Sequence, residues 1–295
     1  MLKLLALIFF TVPAIADHFV SGCRVYENDP ERKLVATFPG TDCAFRDDGT
    51  MYSLGQSEFA AYYRGKKVFH RSLKGHAEFS VTEKGEVLLL SFEGYFLDGA
   101  GRPTLEVIGS DGTSRRKKNG EEIFGAGAGV SSTDFAQLPR QKGSARYYVN
   151  RPGVGITFLD ETLTPVSGPQ ILPGGHPYSR VRIASDGSIL ALRMYPQKNS
   201  YFPEAVTADI FRNGKLRFRY PRVPSKGFLF PFGGSLSESR GDFILNHPLS
   251  GTYVLSGRGE LRDFFPDMHM HWKQMMTPRT VERRDLSRFL ENWKW

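Results

Sequence analysis

One phrase recurs along this chain: a short apolar strand, a polar turn closed by glycine, and a second apolar strand. Its clearest copy is FSVTEKGEVLLLS at Phe79–Ser91. It returns as FRDDGTMYS at Phe45–Ser53, VRIASDGSILALR at Val181–Arg193 and SLSESRGDFILN at Ser235–Asn246, with a looser copy, FAQLPRQKGSARYYV, at Phe135–Val149. The turn glycines Gly49, Gly85, Gly143, Gly187 and Gly241 stand 36 to 58 residues apart. A hairpin repeated about every 40–50 residues is the sequence mark of a propeller blade.

Each copy is followed by a second hairpin. The outer turns fall at Arg64-Gly65, Asp111-Gly112, Asp160-Glu161, Asn213-Gly214 and Gly257–Gly259. Asn-Gly in particular favours the two-residue turns that match strand twist. This makes five four-stranded units. Arg24–Phe38, with a turn at Asn28-Asp29-Pro30, reads as the outer half of one more blade. The expected fold is therefore all-β, a five- or six-bladed β-propeller. It has six blades if the tail supplies the missing strands, since propellers close their ring by joining strands from the two chain ends. Glu121–Ser132 reads as a loop, and Arg115–Lys118 as a solvated turn.

The tail, 268–295, departs from the repeat. Met268–Trp272 reads as one last strand, and Pro278 and Thr280 introduce a helix with Thr280 as N-cap. Leu286, Phe289, Leu290 and Trp293 fall on one face of that helix, which suits docking on the propeller. The domain reading is a signal peptide over 1–16, the propeller over 17–267 and the tail packed against it.

Residues 1–16 carry Lys3, the apolar run Leu4–Val12 and the small residues Ala14 and Ala16, the pattern of an exported chain. That run is shorter than the ~20 residues a bilayer-spanning helix needs, and no other segment is longer and as apolar. The expected location is periplasmic or secreted. The chain's two cysteines, Cys23 and Cys43, suggest one disulfide in that compartment, the alternative being two buried free thiols. Val20-Ser21-Gly22-Cys23 also resembles a lipidation box, with Asp17 and His18 interrupting the apolar run before it. A formal net charge of +8 points to an anionic small molecule, glycan or envelope component as partner. Export argues against nucleic acid.

The residues that could carry chemistry stand just before the first strand of each unit, in PGTDCAF, KGHAEF, VSSTDF, PGGHPYSRV and, before the tail strand, PDMHMHW. In a propeller that link lies at one mouth of the central channel. Asp42, His76, Asp134, His176, Tyr178, His269 and His271 would then gather at one opening. An imidazole there serves as a general acid or base near neutral pH, and three around an axis can hold zinc or another divalent metal. The tail cluster Met268, His269, Met270 and His271 combines thioether and imidazole, a donor set that suits copper. The bland alternatives are loop histidines bonded to backbone carbonyls and methionine as adaptable packing.

Two of these segments, Gly75-His76-Ala77-Glu78-Phe79 followed by EKGEVLLLS and Gly175-His176-Pro177-Tyr178 followed by SDGSILALR, resemble exported bacterial propellers of the arylsulfotransferase type and related lyase-like propellers. The resemblance implies a channel histidine as nucleophile, here His76 or His176, with basic residues holding the sulfate. No clear set of channel arginines stands out in the sequence. Three functions follow as expectations: a binding or scaffolding module with its ligand at one channel mouth, a channel-histidine enzyme acting on an anionic substrate, or a periplasmic copper- or zinc-binding protein.

Overall fold

The computed structural model describes residues 18–27, 33–93, 102–125, 134–138, 143–151, 155–168, 178–184, 187–196, 203–219, 223–224, 237–239, 242–247, 251–256, 258, 260–265, 281–284 and 286–293. Among them are six antiparallel sheets, taken here as blades I to VI. Blade II is β4 (Asp42–Phe45), β5 (Thr50–Leu54), β6 (Glu58–Tyr63) and β7 (Lys66–Ser72) in spatial order. Blade III is β8 (Ala77–Val81), β9 (Val87–Glu93), β10 (Arg102–Ile108) and β11 (Ser114–Asn119). Blade IV is β12 (Asp134–Gln137), β13 (Tyr147–Arg151), β14 (Gly155–Leu159) and β15 (Pro165–Val166). Blade V is β16 (Tyr178–Ile183), β17 (Ile189–Pro196), β18 (Pro203–Arg212) and β19 (Lys215–Arg219), with β20 (Val223–Pro224) added beside β18. Blade VI is β21 (Ser237–Ser239), β22 (Asp242–His247), β23 (Gly251–Ser256) and β24 (Leu261–Phe265).

Blade I closes the ring. Its order is β25 (Val281–Arg284), β1 (His18–Ser21), β2 (Arg24–Glu27), β3 (Leu34–Thr37). Three of its strands come from the N-terminal end of the chain and the fourth from the C-terminal end, so six is the blade number. This corrects two expectations. The first blade lacks one strand rather than two, and 281–284 is a strand inside the ring rather than the start of a helix. Pairing Val281–Arg284 with the open edge of β1 satisfies backbone groups along both strands, which outweighs a helical pattern that begins only at Leu286. Met268–Trp272 and Thr280 lie outside the described residues.

First strands touch one another, β8 against β12, β12 against β16 and β21 against β25, so they surround the axis. The cores lie between blades. β9 shows how sequence makes them: Val87 and Leu89 enter the cluster shared with blade II, while Leu88, Leu90 and Phe92 enter the one shared with blade IV. Side chains alternate across a strand, so a strand packed on both faces must be apolar at every position. Outermost strands read differently. KKVFHRS in β7, SRRKKN in β11 and KLRFR in β19 carry three, four and three cations and no acid. Arg115–Lys118 therefore belongs to a strand, and its charge blunts an exposed edge.

Turn geometry explains the recurrent glycines. Gly112 has φ +80°, and a Cβ there would stand 2.6 Å from the Phe69 ring of blade II. The expected loop at 121–132 begins as a short helix, α1 (Gly120–Phe124). Asn119 caps it by accepting from the Glu122 amide at 2.9 Å, and the Glu122 carboxylate accepts from the Asn119 amide at 2.8 Å. A second helix, α2 (Ser287–Asn292), follows β25. It wedges Leu286, Phe289 and Trp293 into the core between blades I and II, beside Phe38, Phe45 and Met51. The Cys23–Cys43 disulfide crosses the same junction, from the β1–β2 turn to β4. Among the described residues no helix is long and apolar enough to cross a membrane.

Candidate functional site

Asp42, Asp134 and Tyr178 are the first residues of β4, β12 and β16, and His76 immediately precedes β8. They occupy one blade position and therefore one face of the ring. Their surroundings differ. The His76 carbonyl accepts from the Phe92 amide at 2.9 Å, which fixes the residue at the head of its strand. Its imidazole lies over the Phe92 ring, centroids 5.9 Å apart, with Nε2 3.4 Å from Glu78 Oε1. Residues two apart on a strand share a face, which is why His76 and Glu78 meet. The His76 side chain is 46% exposed, so the pair is open to solvent.

Tyr178, read from the sequence as a ligand contact, is buried. Its ring meets Phe211 edge-on at 5.9 Å in the core between blades IV and V. Asp42 is half-buried and stands opposite Leu54, while Asp134 stands opposite Asn150. His176, Met268, His269, Met270 and His271 lie outside the described residues. Among the described residues no group of three or more His, Cys, Asp or Glu could hold a metal ion.

The register also places at this mouth two residues that carry no signal in the sequence. β13 runs antiparallel to β12, so it ends where β12 begins, at Asn150 and Arg151. Asn150 is 2% exposed and its amide nitrogen has no partner among the described residues. The Arg151 guanidinium lies over the Phe124 ring at 4.8 Å, and its Nε is buried, likewise without a partner among them. Burial pushes the Arg151 pKa down. Arg151 and Phe124 are 27 positions apart, and no local pattern pairs them, so only the fold brings them together.

No protein-family model matches the chain, and no curated protein sequence does. Among solved structures the chain is similar to Sqt1 of Saccharomyces cerevisiae at 10% identity, with 88% of this chain and 84% of that one covered and a TM-score of 0.46. It is similar to BamB of Moraxella catarrhalis at 9% identity, covering 84% and 80%, with a TM-score of 0.42. The Dos1 propeller gives 10% identity, 84% and 67% coverage and a TM-score of 0.44. The propeller assignment stands on the six sheets and their closure.

Proposed function

We propose that the protein is an exported binding or scaffolding propeller of the cell envelope whose ligand, an acidic glycan, docks at the mouth where the first strands begin. The carrying observation is the solvent-open His76–Glu78 pair at the head of β8. The ring's cohesion comes from cores between blades, so the ionisable groups at the axial opening are not part of that packing. Pockets at such openings are favoured ligand sites. Asp42 and Glu78 add acceptors for hydroxyl groups, and the chain's net charge of +8 suits an acidic polymer. Export is supported by the residue pattern of 1–16 and by a disulfide, which persists in oxidising compartments.

The test is calorimetric titration of the mature chain with polygalacturonate as the probe, at rising salt. Binding should weaken with salt, and His76→Ala and Asp42→Ala should each weaken it about ten- to a hundredfold, as loss of a charge-assisted hydrogen bond does. No binding, or binding blind to both substitutions, removes the proposal.

The His76–Glu78 contact supports a second reading, an enzyme in which the carboxylate orients the imidazole as base or nucleophile toward an anionic ester. It requires turnover of aryl sulfates or related esters that His76→Ala and His176→Ala abolish with the fold intact. Full activity in both variants ends that reading.

A further inference from the structure

Arg151 is a cation whose surroundings suit an anion. Four buried side-chain atoms lack a hydrogen-bond partner among the described residues: Arg116 Nη1, Asn150 Nδ2, Arg151 Nε and Thr207 Oγ1. Two of them are consecutive, at the mouth end of β13 opposite Asp134. The other Arg116 nitrogen reaches Glu161 at 3.3 Å, so that guanidinium is paired. A buried donor left unmade costs about 1–3 kcal/mol, more when charged. Such a group calls for an explanation, and a binding role is one.

The local architecture holds Arg151 in place. The Asn119–Glu122 capping box fixes the start of α1, and α1 carries Phe124 at its end. Phe124 packs on the core that contains Phe92 and Val149, and the guanidinium lies over its ring. Nε and one Nη lie on one planar edge of a guanidinium as two parallel N–H donors, and Arg151 as a whole is only partly buried. That fork matches a carboxylate, sulfate or phosphate bidentately. His76 lies on the Phe92 ring of the same core. The rings under both residues belong with the core shared by blades III and IV.

We propose that Arg151 is the oxyanion-binding residue of this mouth, taking a carboxylate or phosphate of the ligand through its Nε and Nη edge. The inference rests on the reading of the mouth as the binding end and names the group that holds the acidic part of the ligand. His76, Glu78 and Asp42 are left to the neutral hydroxyls.

The experiment titrates the full mature protein with sodium glucuronate and with inorganic phosphate, chloride being reduced to keep ionic strength constant. Thermal midpoint and phenylglyoxal labelling of each arginine, mapped by mass spectrometry, are read together. One or both anions should raise the midpoint and slow labelling of Arg151 at least fivefold more than that of Arg115 or Arg217. Arg151→Gln should lose the shift, and Arg151→Lys, which keeps charge without the fork, should bind at least tenfold more weakly. Response to glucuronate alone identifies a sugar acid; response to phosphate alone identifies a phosphate ester. Equal labelling of Arg151 with and without anion overturns the proposal, and this readout needs no variant to fold. Polygalacturonate binding that survives Arg151→Gln but not His76→Ala overturns this subsite and keeps the mouth. Protection of Arg151 without any polygalacturonate binding does the reverse.

Discussion

Arg71 on the outer strand of blade II donates to Glu106 on the third strand of blade III at 2.7 Å, and to the Gly112 carbonyl at 2.9 Å. The Glu106 side chain is 9% exposed, so the pair is a largely buried clamp across a blade junction. Truncating Arg71 strands a buried carboxylate. Arg71→Ala should cost about 3–5 kcal/mol in urea unfolding, whereas Arg71→Met combined with Glu106→Met should cost far less. A double variant as weak as Arg71→Ala would show that the clamp is not what matters at this junction.

The disulfide makes a second junction conditional. Cys23 and Cys43 are 20 positions apart and join blade I to blade II. Closing a loop of that size contributes about 3 kcal/mol, which at about 2–4 °C per kcal/mol is roughly 6–12 °C in midpoint. Cys23→Ser with Cys43→Ser should fall by that amount, and dithiothreitol should lower the wild type to the same value. A midpoint indifferent to reductant and to the substitutions contradicts the linkage.

What the sequence discloses is local, and what it hides is distant. Gly85 and Gly187 sit where a turn needs positive φ, at +80° and +78°, and a reader of single hairpins finds them. The strand at 281–284 is invisible because its partner, β1, lies at the other end of the chain. Val-Glu-Arg-Arg has no strand pattern of its own. Glu106 and Asp209 look like surface acids, yet both are buried in third strands, opposite Leu89 and Ala191. Asp209 is matched by the Arg219 fork at 2.7 and 2.9 Å. At the mouth, His76 is half-exposed, whereas the large Tyr178 ring is buried between blades, where aromatic packing contributes most.

Leu163 shows a turn the glycine signal missed. It has φ +62°, its amide donates to the Asp160 carbonyl at 3.1 Å, and it is fully buried between blades III and IV. Gly85 and Gly112 make the same amide contact in their own turns. Leu163→Ala should lose about 2–5 kcal/mol of packing and keep the strain. Leu163→Gly relieves strain of about 1–2 kcal/mol. The stability order should be Leu, then Gly, then Ala; finding Ala above Gly would refute the strained turn.

The same turn titrates. Asp160 Oδ1 accepts from the Thr164 amide at 2.9 Å, and from the Thr162 amide and hydroxyl at 2.8 and 2.7 Å. These bonds, the Thr164 amide first, hold the Asp160 carboxyl below its ordinary value. A depressed carboxylate stabilises the fold above its unfolded pKa of about 3.9 and stops doing so as pH falls through the folded value. Asp160→Asn should therefore lower the midpoint at pH 7 and converge with the wild type as pH falls through the folded value. Curves that stay parallel over that range would remove the carboxylate from the explanation.

Removing 281–295 tests closure itself. It takes away β25, whose four residues pair with all of β1, and α2, whose Phe289 meets Phe38 and Phe45 edge-on at 5.5 and 4.9 Å. Phe289→Ala alone should cost about 3–5 kcal/mol through the cavity it leaves. The truncation does more, because it opens the edge of β1 inside the ring, and an unpaired edge is a template for another chain. The truncated protein should self-associate during size-exclusion chromatography. A synthetic peptide of residues 281–293 should reverse that self-association by adding the strand back. A truncated chain that elutes as the full-length protein does, with an unchanged midpoint, would mean that β25 does not close the ring.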